Sequence, residues 1–153
     1  MSASERPKNF LFLFPDQLRW DWVGCEGAVP VRTPNVDALA RRGVRFTHCY
    51  TASPLCAPSR AAFSTGLRVH KTGVPSNKYD LDPALPNVFQ ILREGGYRVA
   101  TCGKNDLHKG ACDFSASGWR PRLGRLGFTE AIDQAGKHCA CKQLYQGKPE
   151  SYG

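Results

Sequence analysis

Five consecutive apolar residues, Phe10 to Phe14, stand between Asn9 and Pro15. A half-exposed strand would alternate apolar with polar, and a membrane helix needs about 20 apolar residues. A short unbroken run suits a strand buried on both faces of a sheet. Pro15 ends it, and Asp16-Gln17 follow at its carboxyl end. Open α/β sheets bind ligands beyond that end of their strands, so Asp16 is a candidate site residue on position alone. The run is also too short for the roughly 7–15-residue apolar core of a secretory signal, so a soluble, cytoplasmic protein with no membrane partner is expected.

Helix signals alternate with strand signals after this run. Thr33 can cap a helix with Pro34 at its first position; Val36, Leu39 and Ala40 give an inward face, and Gly43 can terminate it. Val44 to Tyr50 alternates and reads as a strand. A second helix is predicted from near Pro58 to Gly66. A third runs from Pro86 to Gly95-Gly96 with Val88, Ile91 and Leu92 inward, and a strand follows over Tyr97 to Cys102. Alternating strands and helices argue for α/β architecture with a mostly parallel sheet and helices on its faces. The segment from Gly118 to Arg125 reads as a loop, and Phe128 to Cys141 as a short helix or irregular chain. Only about three strands are visible, few for such a sheet. The 153 residues therefore read as the opening of a larger domain.

Lysine and arginine number 21 against 13 acidic residues, a formal charge of +8. That balance suits an anionic partner and does not choose among nucleic acid, lipid and small phosphate or sulfate esters. Seven cysteines, an odd number without a secretory signal, argue against a disulfide framework and for free, buried thiols.

The most informative segment is Ser53-Pro54-Leu55-Cys56-Ala57-Pro58-Ser59-Arg60. A cysteine immediately before a helix start meets free backbone N–H groups and the positive end of the helix dipole, which favour an anion there. Arg60, one turn on, can clamp an anionic group bidentately. A nucleophile beside an anion clamp suits transfer of a sulfuryl or phosphoryl group.

Cys56-Ala57-Pro58-Ser59-Arg60 resembles the Cys-x-Pro-Ser-Arg signature of the sulfatases, members of the alkaline-phosphatase-like superfamily. The flanks resemble the family in order: Thr33 to Ala40 with Gly43 to Phe46 before the signature, then Thr65 to Arg68 with Gly73-Val74, Leu85-Pro86-Asn87, and Gly95 to Lys104 after it. The resemblance is strongest over residues 9–104 and loosens towards Lys137. It implies the N-terminal part of an alkaline-phosphatase-like catalytic domain, a mixed, mostly parallel sheet with helices on both faces.

The resemblance also implies a chemistry. Cys56 would be oxidised to formylglycine by a formylglycine-generating enzyme. Its hydrated aldehyde would attack the sulfur of a small sulfate ester, and elimination of sulfate would restore the aldehyde. Asp16 and the mature residue 56 would hold a divalent cation, Ca²⁺ first, with Mg²⁺ or Mn²⁺ as alternatives. Arg60 would stabilise the diol, and Lys104 would bind an ester oxygen.

Two departures matter. Asp16-Gln17 stands where many sulfatases carry two aspartates, as it does in a branch resembling choline sulfatases and phosphonate or phosphodiester hydrolases. Asp106 stands where the family usually places a histidine. His108, two residues later, could supply that imidazole as general acid if the segment is extended; the competing reading is an exposed loop histidine. The family's remaining metal ligands lie further downstream, so the 153 residues alone are expected to be inactive, and a non-catalytic remnant with an anion-binding surface is the alternative from another class.

Weaker patterns stand beside these. His138-Cys139-Ala140-Cys141 with Cys112 lacks the paired Cys-x₂₋₄-Cys spacing of structural zinc sites. Arg120, Arg122 and Arg125 beside Trp119 form a basic segment too short to argue strongly for nucleic acid. Trp20, Trp22 and Trp119 read as core or pocket wall. Oligomeric state is not legible.

Overall fold

The computed structural model describes residues 8–108 and 119–133, and the chain divides into two compact units, residues 1–48 and 49–153. Among the described residues, no helix is long and apolar enough to cross a membrane.

The first unit is built around α1 (Pro34–Arg42), which starts at Pro34 as its sequence requires and ends at Gly43. Thr33 does not cap it in the expected way. The Thr33 hydroxyl accepts from Gly24 N (2.7 Å) and donates to Asp37 Oδ1 (2.8 Å), which also accepts from Cys25 N (2.8 Å). Thr33 and Asp37 thus clip the 3-10 turn Gly24–Glu26 onto the helix start. Arg45 reinforces the same turn by donating to the Cys25 carbonyl at 2.7 Å.

Several expectations for this unit are corrected. Phe10–Phe14 is not assigned to a strand, and its side chains are 48–83% exposed. Burial on two faces requires layers above and below, which the residues of a single run do not themselves specify. Val44 to Tyr50 likewise forms no strand, and Val44, Phe46 and Tyr50 stand exposed. Trp20, Trp22, Val36 and Leu39 are exposed too, not core.

The second unit holds the core. Helix α2 (Cys56–Thr65) is followed by α3 (Val69–Thr72), α4 (Val88–Glu94), β1 (Ala100–Gly103), α5 (Trp119–Arg125) and β2 (Glu130–Asp133). Gly66 ends α2 in the left-handed conformation (φ +68°), donating to Ala62 O as a helix terminator should. Asn87 caps α4, accepting from Phe89 N and Gln90 N while Gln90 returns a bond to Asn87 N. The predicted helix at Pro86 therefore begins two residues later than its proline.

Strand β1 pairs in parallel with β2, Ala100 opposite Glu130 and Gly103 opposite Asp133. A parallel pair needs a crossover, and α5 lies on it. Both elements correct the sequence reading, which made Gly118–Arg125 a loop and did not see a strand after Phe128. Pro121 is compatible with α5, since in the first turn of a helix its missing N–H has no intrahelical partner to lose. Ala57, Ala61, Val74, Leu81, Val99, Leu107, Leu123, Leu126 and Phe128 pack as one buried cluster, with Phe89 against Phe128 at 4.5 Å between ring centroids. Gly127 (φ +105°) lets this turn close on α4, since a Cβ there would lie 2.4 Å from Gln90 N.

Beside the strands Arg98 pairs with Glu130 on the exposed surface. The hydrogen bond to Glu130 raises the Arg98 pKa, and the bond from Arg98 lowers that of Glu130. The described free cysteines are not buried thiols: Cys49 and Cys102 are exposed, Cys25 and Cys56 intermediate. Cys112 and His138 to Cys141 lie outside the described residues.

Candidate active site

Cys56 is the first residue of α2, and Leu55, in extended conformation, precedes it as N-cap. The chain reaches this point through hydroxyl contacts. Ser53 Oγ accepts from Leu55 N at 3.1 Å, and Thr51 donates to Ser53 O at 3.0 Å. Thr51 has a single hydroxyl proton, so the 2.7 Å contact between Thr51 Oγ1 and Ser59 Oγ has Ser59 as donor. Leu55 brings no side-chain oxygen to the helix start. Asn77, twenty residues on, supplies it: its Oδ1 accepts from Ala57 N at 2.9 Å. A tertiary contact thus performs the capping normally done locally.

Lys104 follows β1 directly, at the carboxyl end of a parallel strand. Its Nζ lies 3.4 Å from Cys56 Sγ and 3.3 Å from Asp106 Oδ2. Arg60, one turn into α2 and 6% exposed, donates from Nη1 to the Lys104 carbonyl at 2.8 Å. Three residues expected to share a site, Cys56, Arg60 and Lys104, are therefore joined directly. The Lys104 ammonium thus lies beside the first residue of a helix, where an anionic group is electrostatically favoured.

The segment after Lys104 is not extended. Asp106 has φ +54°, and Leu107 N donates to Asn105 Oδ1 at 3.0 Å, an Asx turn. The premise that carried His108 to the face of Lys104 is corrected here, because the turn gives Asp106 and His108 separate partners. Nor is His108 an exposed loop residue: it is 7% exposed, with Nδ1 2.5 Å from Asp80 Oδ2. Arg122 Nη1 lies 2.9 Å from Nε2 and 3.4 Å from Nδ1 at once. Two such distances together place the guanidinium beside or over the ring, not at the end of the Nε2 lone pair. Asp80 thus fixes the imidazole through Nδ1–H, a carboxylate–histidine pair with the orienting role seen in general acid–base sites.

Asn77, Asp80 and Asp106 were missed as site residues, and Arg122 was read only as part of a basic segment. Asn77 and Asp80 lie in a turn-rich stretch where Asn and Asp have an ordinary local explanation, and only contacts across tens of residues reveal their partners.

Asp16 and Gln17 offer hard oxygen donors, which fit a divalent cation in kind. They fall short in number: among the described residues no three His, Cys, Asp or Glu side chains gather as a metal cluster. Gln17 has φ +60°, a turn conformation directly after Asp16.

A family model described as Sulfatase matches residues 8–145, nearly the whole chain. The chain belongs to the sulfatase family. Mouse (Mus musculus) steryl-sulfatase is 37% identical over 71% of this chain and 20% of its own length, and human (Homo sapiens) arylsulfatase A is 38% identical over 71% and 22%. Among solved structures, the phosphonate monoester hydrolase of Agrobacterium radiobacter superposes with a TM-score of 0.63 at 30% identity, covering 90% of this chain and 28% of that one. The α/β, alkaline-phosphatase-like fold class expected from the sulfatase signature is therefore correct. The chain spans about a quarter or less of the length of these relatives.

Proposed function

We propose that this chain supplies the nucleophile-bearing part of a hydrolase that cleaves small, anionic sulfate esters. The observation that carries the reading is the contact of Lys104 Nζ with Cys56 Sγ at 3.4 Å, at the start of the helix that also bears Arg60. The atom at position 56 is a thiol sulfur; in the mature protein it stands for the oxygen of a formylglycine made by a dedicated generating enzyme. Formylglycine, hydrated, supplies an oxygen nucleophile for the ester sulfur.

The chain's own groups have separable tasks. Lys104, within reach of residue 56, binds a sulfate or leaving-group oxygen and offsets the charge that develops as the ester breaks. Arg60 supports the strand end that carries Lys104 and adds positive potential at the nucleophile. Asn77 aligns the first helical turn through Ala57. His108, held by Asp80, is not assigned as the proton donor to the leaving oxygen, because the turn at Asp106 removes the extended geometry that would bring it beside Lys104. A divalent cation, Ca²⁺ on the hard-oxygen character of the donors, would take Asp16 as one ligand and supply Lewis-acid polarisation; further ligands are needed to complete it.

A second reading, hydrolysis of phosphonate monoesters or phosphodiesters, is favoured by the Agrobacterium radiobacter neighbour and by Gln17 after Asp16. Nucleophile and clamp serve either ester. The test uses the full-length protein, expressed where formylglycine is installed. Mass analysis of the peptide containing residue 56 should show conversion, and aryl sulfate should be turned over faster than aryl phosphonate. Cys56→Ala should reduce turnover by at least about 10⁴-fold. Undiminished hydrolysis in Cys56→Ala would sink the nucleophile assignment, and a phosphonate preference would favour the second reading. An intact Cys56 in a converting host, with no turnover of any ester, would favour a non-catalytic remnant.

A further inference from the structure

We propose that Asp106 is a positioning residue whose carboxylate holds the Lys104 ammonium against residue 56, an inference that rests on the roles of Cys56 and Lys104 given above. Lysine ends in a compact cation on a flexible four-carbon stem, so its charge acts at one place only if something anchors it. Asp106 Oδ2 lies 3.3 Å from Lys104 Nζ, and the two side chains are 6% and 19% exposed. At that depth an ion pair is screened far less than on the surface. The same ammonium is 3.4 Å from Cys56 Sγ, so carboxylate, ammonium and nucleophile form one short chain of contacts.

The backbone adds an independent observation. Asp106 is one of two described non-glycine residues with positive φ, and the only one of them that is buried. Glycine and asparagine satisfy such a turn at least as well as aspartate, so backbone geometry alone gives no reason for a charge. A left-handed residue held in place by its surroundings is the kind of strain that collects at functional sites. What distinguishes aspartate from the residues the turn would accept is its negative charge, and that charge lies against the Lys104 ammonium. Aimed at an anionic ester, the carboxylate would repel it; placed on the lysine, it acts through the lysine.

The experiment is a double-mutant cycle in the full-length, converted protein with 4-nitrophenyl sulfate, and the monoester 4-nitrophenyl phenylphosphonate in parallel. Asp106→Asn keeps the shape and is expected to lower kcat/KM about tenfold to a hundredfold. In a Lys104→Ala background the same change should alter kcat/KM by less than about twofold, because the group through which Asp106 acts is gone. Asp106→Gly, which relieves the backbone but leaves the Lys104 ammonium without this carboxylate, should lose activity like the Asn variant, by more than any change in its melting temperature accounts for. A purely structural Asp106 would give the opposite pattern, with activity tracking stability. Wild-type kcat/KM in both Asp106 variants, or an equal loss with Lys104 absent, would overturn the inference. If the wild type hydrolyses neither ester, the functional reading fails by itself, and a crystal structure of Asp106→Asn decides the inference alone. Lys104 Nζ displaced from residue 56 supports it; Nζ still within hydrogen-bond reach refutes it.

Discussion

The start of α2 shows how one side chain can set the geometry of a nucleophile. Leu55 brings no oxygen to the helix N-terminus, and Asn77 Oδ1 takes the Ala57 N–H at 2.9 Å instead. Asn77→Ala leaves that donor without its side-chain partner, so it is expected to cost about 1 kcal/mol. Asn77→Asp keeps an acceptor and should melt close to the wild type. Thermal denaturation of the three proteins checks this, and an Asn77→Ala protein melting with the wild type would show the cap to be dispensable. The pattern at position 56 was legible because Cys, Pro, Ser and Arg occur together at the start of a helix, a local signal. Asn77 and Asp80 were not, since a side chain's long-range partner leaves no local trace.

Elements divide the same way. Helices α1, α2 and α4 were readable because proline, glycine and capping residues punctuate them. Strands were readable only in part, for a strand is completed by neighbours that its own residues do not specify: Tyr97 to Cys102 shortens to Ala100–Gly103, while Phe10–Phe14 has the composition of a buried strand without its burial. The α5–β2 connection depends on Gly127, where an added Cβ would meet the backbone of Phe89 and Gln90. Gly127→Ala must shift one chain off the other and is expected to destabilise by about 2–4 kcal/mol, read by chemical denaturation. The Arg98–Glu130 pair, in contrast, is surface-exposed and makes a small contribution with a definite sign. The lowered Glu130 pKa means its share is present above the unfolded carboxylate value and lost as pH falls through the folded one. The raised Arg98 pKa means its share persists until pH rises through the folded guanidinium value. Arg98→Gln should therefore differ slightly from the wild type at neutral pH, with the difference fading as the solution is acidified and as salt is added.

At the scale of the molecule, burial is unevenly shared. None of the described residues 8–48 is buried, whereas the second unit packs its apolar cluster beneath α2 and places Ala61 and Ala62 1% and 6% exposed. Local opening costs least where few apolar contacts are lost, so the two units should differ in hydrogen exchange even though both contain α-helices. The amides of Ala61 and Ala62 in α2 are expected to exchange slowest, and those of Ala38 and Leu39 in α1 at least about a hundredfold faster. The distribution has a functional sense. A nucleophile must be held within a fraction of an ångström, so it belongs on the helix with the deepest support, and Cys56, Arg60 and the cap from Asn77 are all on or against α2. Native-state exchange followed by mass spectrometry, at several denaturant concentrations, measures both helices together. Equal protection of α1 and α2 would show that the first unit draws stability from contacts other than apolar burial, and that rigidity at position 56 is no local property of the second unit's core.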